Sequence, residues 1–295
     1  MTTFIFGEAM LEYHASGGDG LRYGGDTLNT AIHMARAGHN VAYVTALGTD
    51  PISDALISEW DKEGIDTRFV LRHPTRTPGI YAIHLDEQGE RSFLYWRDRS
   101  AARVMFELDK MAEALIEAEA ADLLYFSLVT LAISEGGGRD SILELAAKRR
   151  VLGSPVAYDS NFRPALWPSL AEARDVSRRA AENCSIGLPT NSDERDLWQT
   201  DEDELDIASR WAGDDRIVVV KAGEKGCFLM EGIQPVAQWF PPERVNVVDS
   251  SGAGDAFNAG FLSAILGGKP TQLCVENGQS LARSVIGQFG AIPKG

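Results

Sequence analysis

An α/β fold, with a mainly parallel central sheet flanked by helices and a small β-sheet lid, is predicted by three features of this sequence. Short apolar strand-like runs alternate with helical stretches at the start of the chain and again from about residue 122 onward. Between residues 67 and 97 that alternation stops, and period-two patterning rich in β-branched and aromatic side chains replaces it. The chain has 295 residues, 44% hydrophobic and 24% charged, an ordinary globular composition. We expect one domain over 1–295, with a lid insert formed by about 11–23 and 67–99.

Each element follows from local pattern. Residues 4–6 form a first strand ended by Gly7. Residues 26–37 form a helix, because Leu28, Ala31, Ile32 and Ala35 share a face and Gly38 suits its C-terminal stop. Residues 41–48 read as a buried strand and 50–64 as a helix. In the insert, 80–85 and 91–97 form a hairpin about the turn "DEQG". Phe93, Tyr95 and Arg97 share one face of its second strand, and Leu94 and Trp96 the other. The segment 11–23, containing "GGDG", adds further strands. Strands return at 122–127, 155–159, 185–188 and 216–221. Helices fill 136–150, 169–182, 192–199 and 202–212. A later hairpin occupies 227–230 and 236–240, and helices 255–266 and 271–287 close the chain.

Charge and composition exclude several functions. The net charge of −15, from 28 basic and 43 acidic residues, opposes nucleic-acid binding, which needs phosphate neutralisation. It leaves room for a small anion held by a few arginines in one cleft. The acidic run "TDEDELD" reads as a solvated helix start. The three cysteines are far apart, which suits buried reduced thiols. No run of eighteen apolar residues and no basic leader occur, so we expect no membrane span, no signal peptide and a cytoplasmic protein. The five histidines are scattered, and a zinc site is not expected.

Five stretches carry candidate chemistry. In "VVDSSGAGDAFNAG" (247–260), Gly252, Ala253 and Gly254 leave backbone N–H groups open at the start of a helix, where unpaired donors and the helix dipole favour an anion. A carboxylate there makes sense if Asp255 takes a proton from a hydroxyl attacking that anion's phosphorus. A plain N-cap and turn would explain the local pattern equally well. In "YGGDTLNTA", Gly24 and Gly25 permit close approach of a ligand, and Asp26 and Asn29 can hydrogen-bond sugar hydroxyls. In "DSNFRPALW", after a predicted strand, Arg163 can bind a carboxylate or phosphate. In "PTNSDE", Asn191 and Glu194 could serve a hydrated magnesium ion, or could simply cap the next helix. In "VVVKAGEKG", Lys221 follows a strand, and Gly223 and Gly226 let a nucleotide lie against the backbone.

Taken in this order, the five stretches resemble the ribokinase-like, PfkB-type carbohydrate kinases. "DSSGAGD" is similar to the family's "DTxGAGD", with Ser250 where threonine is usual. "YGGDTLNTA", "GIYAI", "GERSFLYWRDRSAAR" and "DSNFRPALW" look most like 2-keto-3-deoxygluconate kinases. The resemblance implies ATP-dependent phosphorylation of 2-keto-3-deoxygluconate at its 6-hydroxyl, with Asp255 as base and the Gly252–Ala253–Gly254 amides stabilising the transferring phosphoryl. It also implies a substrate set of Glu8, Gly24, Gly25, Asp26, Asn29, Tyr81, Tyr95, Arg97, Arg163 and Asp255. Its nucleotide set is Asn191, Lys221, Gly223, Gly226, Gly252, Gly254 and Asn277. Magnesium near Asn191 and Glu194, through water, and a monovalent cation (K+) near Asp249 and Ser251 come with it. The substrate's carboxylate gives Arg97 and Arg163 a task that a neutral sugar would not. A fructokinase-like enzyme and a sugar sensor without activity are the alternatives. Exposed lid edges suggest a homo-oligomer.

Overall fold

The computed structural model describes residues 1–14, 21–85 and 91–293. The "GGDG" stretch and the "DEQG" turn lie outside the described residues. In chain order the elements are β1 (Thr2–Phe6), β2 (Met10–His14), β3 (Leu21–Gly24), α1 (Asp26–Arg36), β4 (Asn40–Gly48), α2 (Pro51–Lys62), β5 (Ile65–Asp66), β6 (Val70–His73), β7 (Gly79–Leu85) and β8 (Arg91–Trp96). They continue with α3 (Met111–Glu119), β9 (Leu123–Ser127), α4 (Leu128–Ile133), α5 (Gly138–Val151), β10 (Val156–Asp159), α6 (Leu170–Glu182), β11 (Ile186–Gly187), α7 (Asn191–Trp198) and α8 (Glu204–Trp211). The last are β12 (Ile217–Lys221), β13 (Cys227–Glu231), β14 (Gln238–Phe240), α9 (Ala253–Leu266) and α10 (Thr271–Ile286).

Among the described residues these strands build two sheets. The larger runs β14-β13-β12-β11-β10-β9-β1-β4-β5, with β6 also on β4. Neighbours from β12 through β5 are parallel, and β13 and β14 extend one edge as an antiparallel hairpin. Strand order reverses between β1 and β9, so a crevice opens beyond their carboxyl ends. The smaller sheet runs β3-β2-β7-β8 and contains the expected hairpin together with the expected strands from 11–23.

The central strands read as continuous apolar runs because both faces are covered. On one face Leu28, Ile32, Trp60, Phe257, Phe261 and Val275 of α1, α2, α9 and α10 pack on Ile5, Tyr43 and Tyr125. On the other, Met111, Leu131, Ile142, Val176, Leu197 and Ile207 of α3 to α8 pack on Phe4, Phe6, Leu124 and Phe126. Successive residues of β1 and β9 therefore serve opposite cores.

Three expectations need correction. β6, inside the stretch expected in the lid, pairs with β4 of the central sheet instead. Its Val70 and Leu71 are both buried, which a two-sided central position demands and a lid strand does not. Helices α3 and α4 were not among the elements expected. α3 buries only Met111, Ala114 and Ala118, giving weak apolar contrast, and α4 is six residues long, under two turns. α9 begins at Ala253 rather than Asp255. No helix among the described residues is long and apolar enough to cross a membrane.

Candidate active site

The crevice collects residues from the ends of β1, β9, β10 and β12, the start of α1, the start of α9, and the inner face of the small sheet. The turn before α9 is built by Asp249 and Gly252. Asp249 is buried, and its two carboxylate oxygens accept the Ser251 N–H at 2.8 Å and the Gly290 N–H at 3.0 Å. Asp249 thus ties the turn to the C-terminal segment, and the expected cation site gains no independent support from it. Gly252 has φ 70°, and a Cβ there would lie 2.4 Å from Ala291 Cβ. Glycine is required on both counts. The helix entered from this turn directs its first N–H groups at the crevice. Of the expected donors, Ala253 already gives its N–H to Ser250 O at 3.4 Å.

Asp255 stands in the first turn of α9. Its Oδ2 accepts from Asn29 Nδ2 at 2.8 Å, and its backbone carbonyl accepts from Thr30 Oγ1 at 3.2 Å. Burial and the nearby Asp26 carboxylate push its pKa up to about 8, Asp159 adds to the rise, and the Asn29 hydrogen bond and Lys221 oppose it. Asp26 in turn accepts from Ser127 Oγ and, at 2.8 Å, from Asn161 Nδ2. Gly25 precedes α1 with φ 149°, and a Cβ there would lie 2.3 Å from the Glu8 carbonyl. Bare backbone at this point lets the loop after β1 and the start of α1 close on each other.

On the small sheet, Glu8 and Arg97 form a buried ion pair, and the Tyr81 hydroxyl donates to Glu12 Oε2. Tyr81 and Tyr95 rings lie 6.0 Å apart. Arg97 is therefore corrected as a carboxylate-binding candidate: it is 7% exposed and its charge is matched by Glu8. Glu8 Oε1, Arg97 Nε and Asn29 Oδ1 are buried without a hydrogen-bond partner, so three polar atoms remain for a hydroxyl-rich ligand. Beneath Gly24, a Cβ would lie 2.8 Å from Tyr81 Oη, which explains the small residue there.

Arg163 is more open than Arg97 and is held only by a long ion pair with Asp193. Nη1 donates to Phe162 O at 2.7 Å and sits 3.5 Å from both oxygens of Asp193, while half the side chain is exposed. The carboxylates of Asp193, Asp26, Asp255 and Asp159 act on it and raise its pKa against the effect of burial. Lys221, at the end of β12, donates to Asp159 Oδ2 at 2.9 Å and Asn258 Oδ1 at 3.1 Å. Gly223 and Gly226 flank the turn that follows, with φ 54° and 88°.

Two other assignments change. Glu194 is fully buried, with Oε2 accepting from Arg210 Nη1 at 2.7 Å and Trp211 Nε1 at 2.9 Å. Asn191 donates to Glu204 Oε1 at 3.0 Å. Glu194 is thus enclosed rather than solvent-open, with Oε2 paired and Oε1 buried without a hydrogen-bond partner. The capping-box alternative fails, because Thr190 caps α7 without a side-chain hydrogen bond. Asn277 binds Leu273 O at 2.6 Å and Lys269 Nζ at 3.3 Å, at the α9–α10 turn. The α10 side chain that reaches the Gly226 region is Gln279, through the carbonyls of Phe240 and Pro241.

Sequence reasoning missed Glu12, Ser127, Asp159, Asn161 and Asn258. Asp159 and Asn161 lie in the quoted "DSNFRPALW", where only the arginine was singled out. Asn258 was visible as a lone polar residue in the apolar run "AFNAGF". Glu12, in the middle of β2, and Ser127, at the end of β9, carry no local signal, being ordinary polar positions in strands.

Several known proteins are similar to this chain. A "2-dehydro-3-deoxygluconokinase" of Haemophilus influenzae is 39% identical over 277 residues, covering 92% of this chain and 88% of that protein. One of Escherichia coli K12 with the same description is 38% identical over 297 residues, covering 98% and 96%. The crystal structure of an uncharacterized sugar kinase from Pyrococcus horikoshii in complex with ATP superposes with TM-score 0.82, at 24% identity over 99% of this chain and 94% of that one. The fold is thus ribokinase-like, with the small sheet set apart from the parallel one. Residues 12–294 match the model of the pfkB family of carbohydrate kinases, and the chain belongs to that family.

Proposed function

We propose that this protein transfers the γ-phosphoryl group of ATP to the 6-hydroxyl of 2-keto-3-deoxygluconate (2-dehydro-3-deoxygluconate). The observation that carries the proposal is the placement of Asp255, held by Asn29 at the mouth of the Gly252–Gly254 turn. The two relatives described above, named for this activity and 38–39% identical over nearly the whole chain, support the substrate.

In this reading the sugar acid lies between the small sheet and the start of α1. Its hydroxyls meet Asn29, Glu8, Asp26 and Tyr81. Its carboxylate pairs with Arg163, which exchanges a long contact with Asp193 for a closer one. The primary hydroxyl points at Asp255, whose carboxylate accepts the proton as the oxygen attacks phosphorus. N–H groups of the Gly252–Asp255 turn stabilise charge on the transferring group. Nucleotide phosphates, entering with their magnesium as substrate, meet this turn, and the nucleoside lies along Gly223 and Gly226. Closing of the small sheet excludes water.

A coupled ADP-release assay tests this directly. Turnover is expected on 2-keto-3-deoxygluconate, with kcat/KM at least about a hundredfold above that on fructose or ribose. Preference for fructose would make it a neutral-sugar kinase, and sugar binding without ADP release would make it a sensor.

The same reading includes a second copy of the chain. Tyr13, Leu21, Leu94 and Trp96 expose 49–60% of their surface on the outward face of the small sheet. Apolar side chains concentrated on one small sheet suit association.

A further inference from the structure

Behind the phosphate-facing turn lies an interior polar cluster. Lys221 closes β12, Asp159 closes β10, Asn258 lies in α9 and Tyr125 in β9. All four are more than nine-tenths buried. Lys221 Nζ donates to Asp159 Oδ2 at 2.9 Å and to Asn258 Oδ1 at 3.1 Å. Asn258 Nδ2 donates to the same Asp159 oxygen at 2.6 Å and to the Tyr125 hydroxyl at 3.1 Å. A buried ion pair is weak evidence of a purely stabilising role, since apolar side chains of similar volume usually do as well.

Position gives the cluster a task. Lys221 Nζ lies 3.7 Å from where a Cβ of Gly254 would stand, against the first turn of α9. Asp255 is the next residue. The charged and titratable groups around it are Asp26 on α1, Asp159 on β10, Tyr125 on β9, Tyr81 on the small sheet, Arg163 after β10 and Lys221 on β12. Carboxylates predominate. Of the two cations, Arg163 is half exposed, whereas Lys221 is fixed from two sides.

We propose that Asp159 and Asn258 are positioning residues: they hold the Lys221 ammonium against the first turn of α9, where it offsets the surrounding carboxylates and lets Asp255 release its proton. The inference rests on Asp255 as the proton acceptor and goes beyond it, because it names what keeps that acceptor usable. The proton leaves the sugar hydroxyl for Asp255. Lys221 takes no part in the transfer.

The test is the pH dependence of kcat/KM for the sugar acid, at fixed MgATP, in three variants. Lys221→Met removes the cation, so the acid limb should move up by about one pH unit. Asn258→Leu removes one anchor of the ammonium and no charge, so the limb should move up, by less than in Lys221→Met. Lys221→Arg should restore most of the wild-type position. A rise in both Lys221→Met and Asn258→Leu, with recovery in Lys221→Arg, is the signature, because a merely structural cluster would lower kcat without moving the limb. Titration of the Asp255 carboxyl by carbon NMR, assigned with Asp255→Asn, reads the same shifts without turnover. If Asn258→Leu does not fold, Asn258→Ala takes its place with the same expected direction. An unmoved limb with Asp255→Asn inactive overturns this inference alone. Substantial activity in Asp255→Asn overturns the proton-acceptor reading itself.

Discussion

Burial among Asp26 and Asp159 keeps the Asp255 carboxyl protonated until the pH nears 8. The acid limb of kcat/KM reports the free enzyme. It should therefore fall near pH 8, and a limb near 4 would show that Asp255 is not the group titrating. Folding feels the same shift with a definite sign. The folded-state pKa is raised from 3.8 to about 8, so the folded chain holds a proton that the unfolded chain gives up. Stability from this group is complete below pH 3.8 and is lost as pH rises through 8. Asp255→Asn should accordingly raise Tm at pH 8, seen by calorimetry, while kcat drops by about three orders of magnitude or more and ATP binding is retained. Asp249→Asn should do the reverse to Tm, lowering it, because it loosens the tie between Ser251 and Gly290. Arg163→Ala removes a charge-assisted hydrogen bond of about 1.5–3 kcal/mol, so KM for the sugar acid should rise about 10- to 150-fold with a smaller change in kcat. An unchanged KM would place the carboxylate elsewhere.

At the scale of elements, the glycine turn and α9 form one unit with the C-terminal segment. Gly252→Ala places a side chain at φ 70° and into Ala291, so it should cost about 1–3 kcal/mol of stability and displace the first-turn amides. Adding Ala291→Gly relieves the collision but not the backbone strain, and partial recovery of Tm with little recovery of kcat is expected. Element boundaries were legible where period or punctuation was strong. Residues 26–37 were read correctly to within one residue because Leu28 and Ile32 mark a face and Gly38 a stop. α3 escaped because alanine on its buried side gives no contrast, and β6 because a four-residue apolar run does not say which sheet it joins.

For the whole molecule, the reversal of strand order between β1 and β9 makes the crevice, and the small sheet stands over it. Replacing Leu94 and Trp96 together with glutamate should convert the proposed oligomer to monomer by sedimentation velocity. If the wild-type chain already sediments as a monomer, the association proposal fails. What the sequence determined by itself is the layer architecture and which turns are glycine-rich and polar, because hydrophobic period, glycine punctuation and residue order are local properties. It also singled out Asp255 over Asp249, from its place at the helix mouth. Tertiary structure alone decided which charges are free. Arg97 meets Glu8 across 89 residues, Glu194 meets Arg210 across 16, and Lys221 meets Asp159 across 62. A charged side chain looks the same in sequence whether it awaits a ligand or is already paired, and only the packing that removes water from around it settles which.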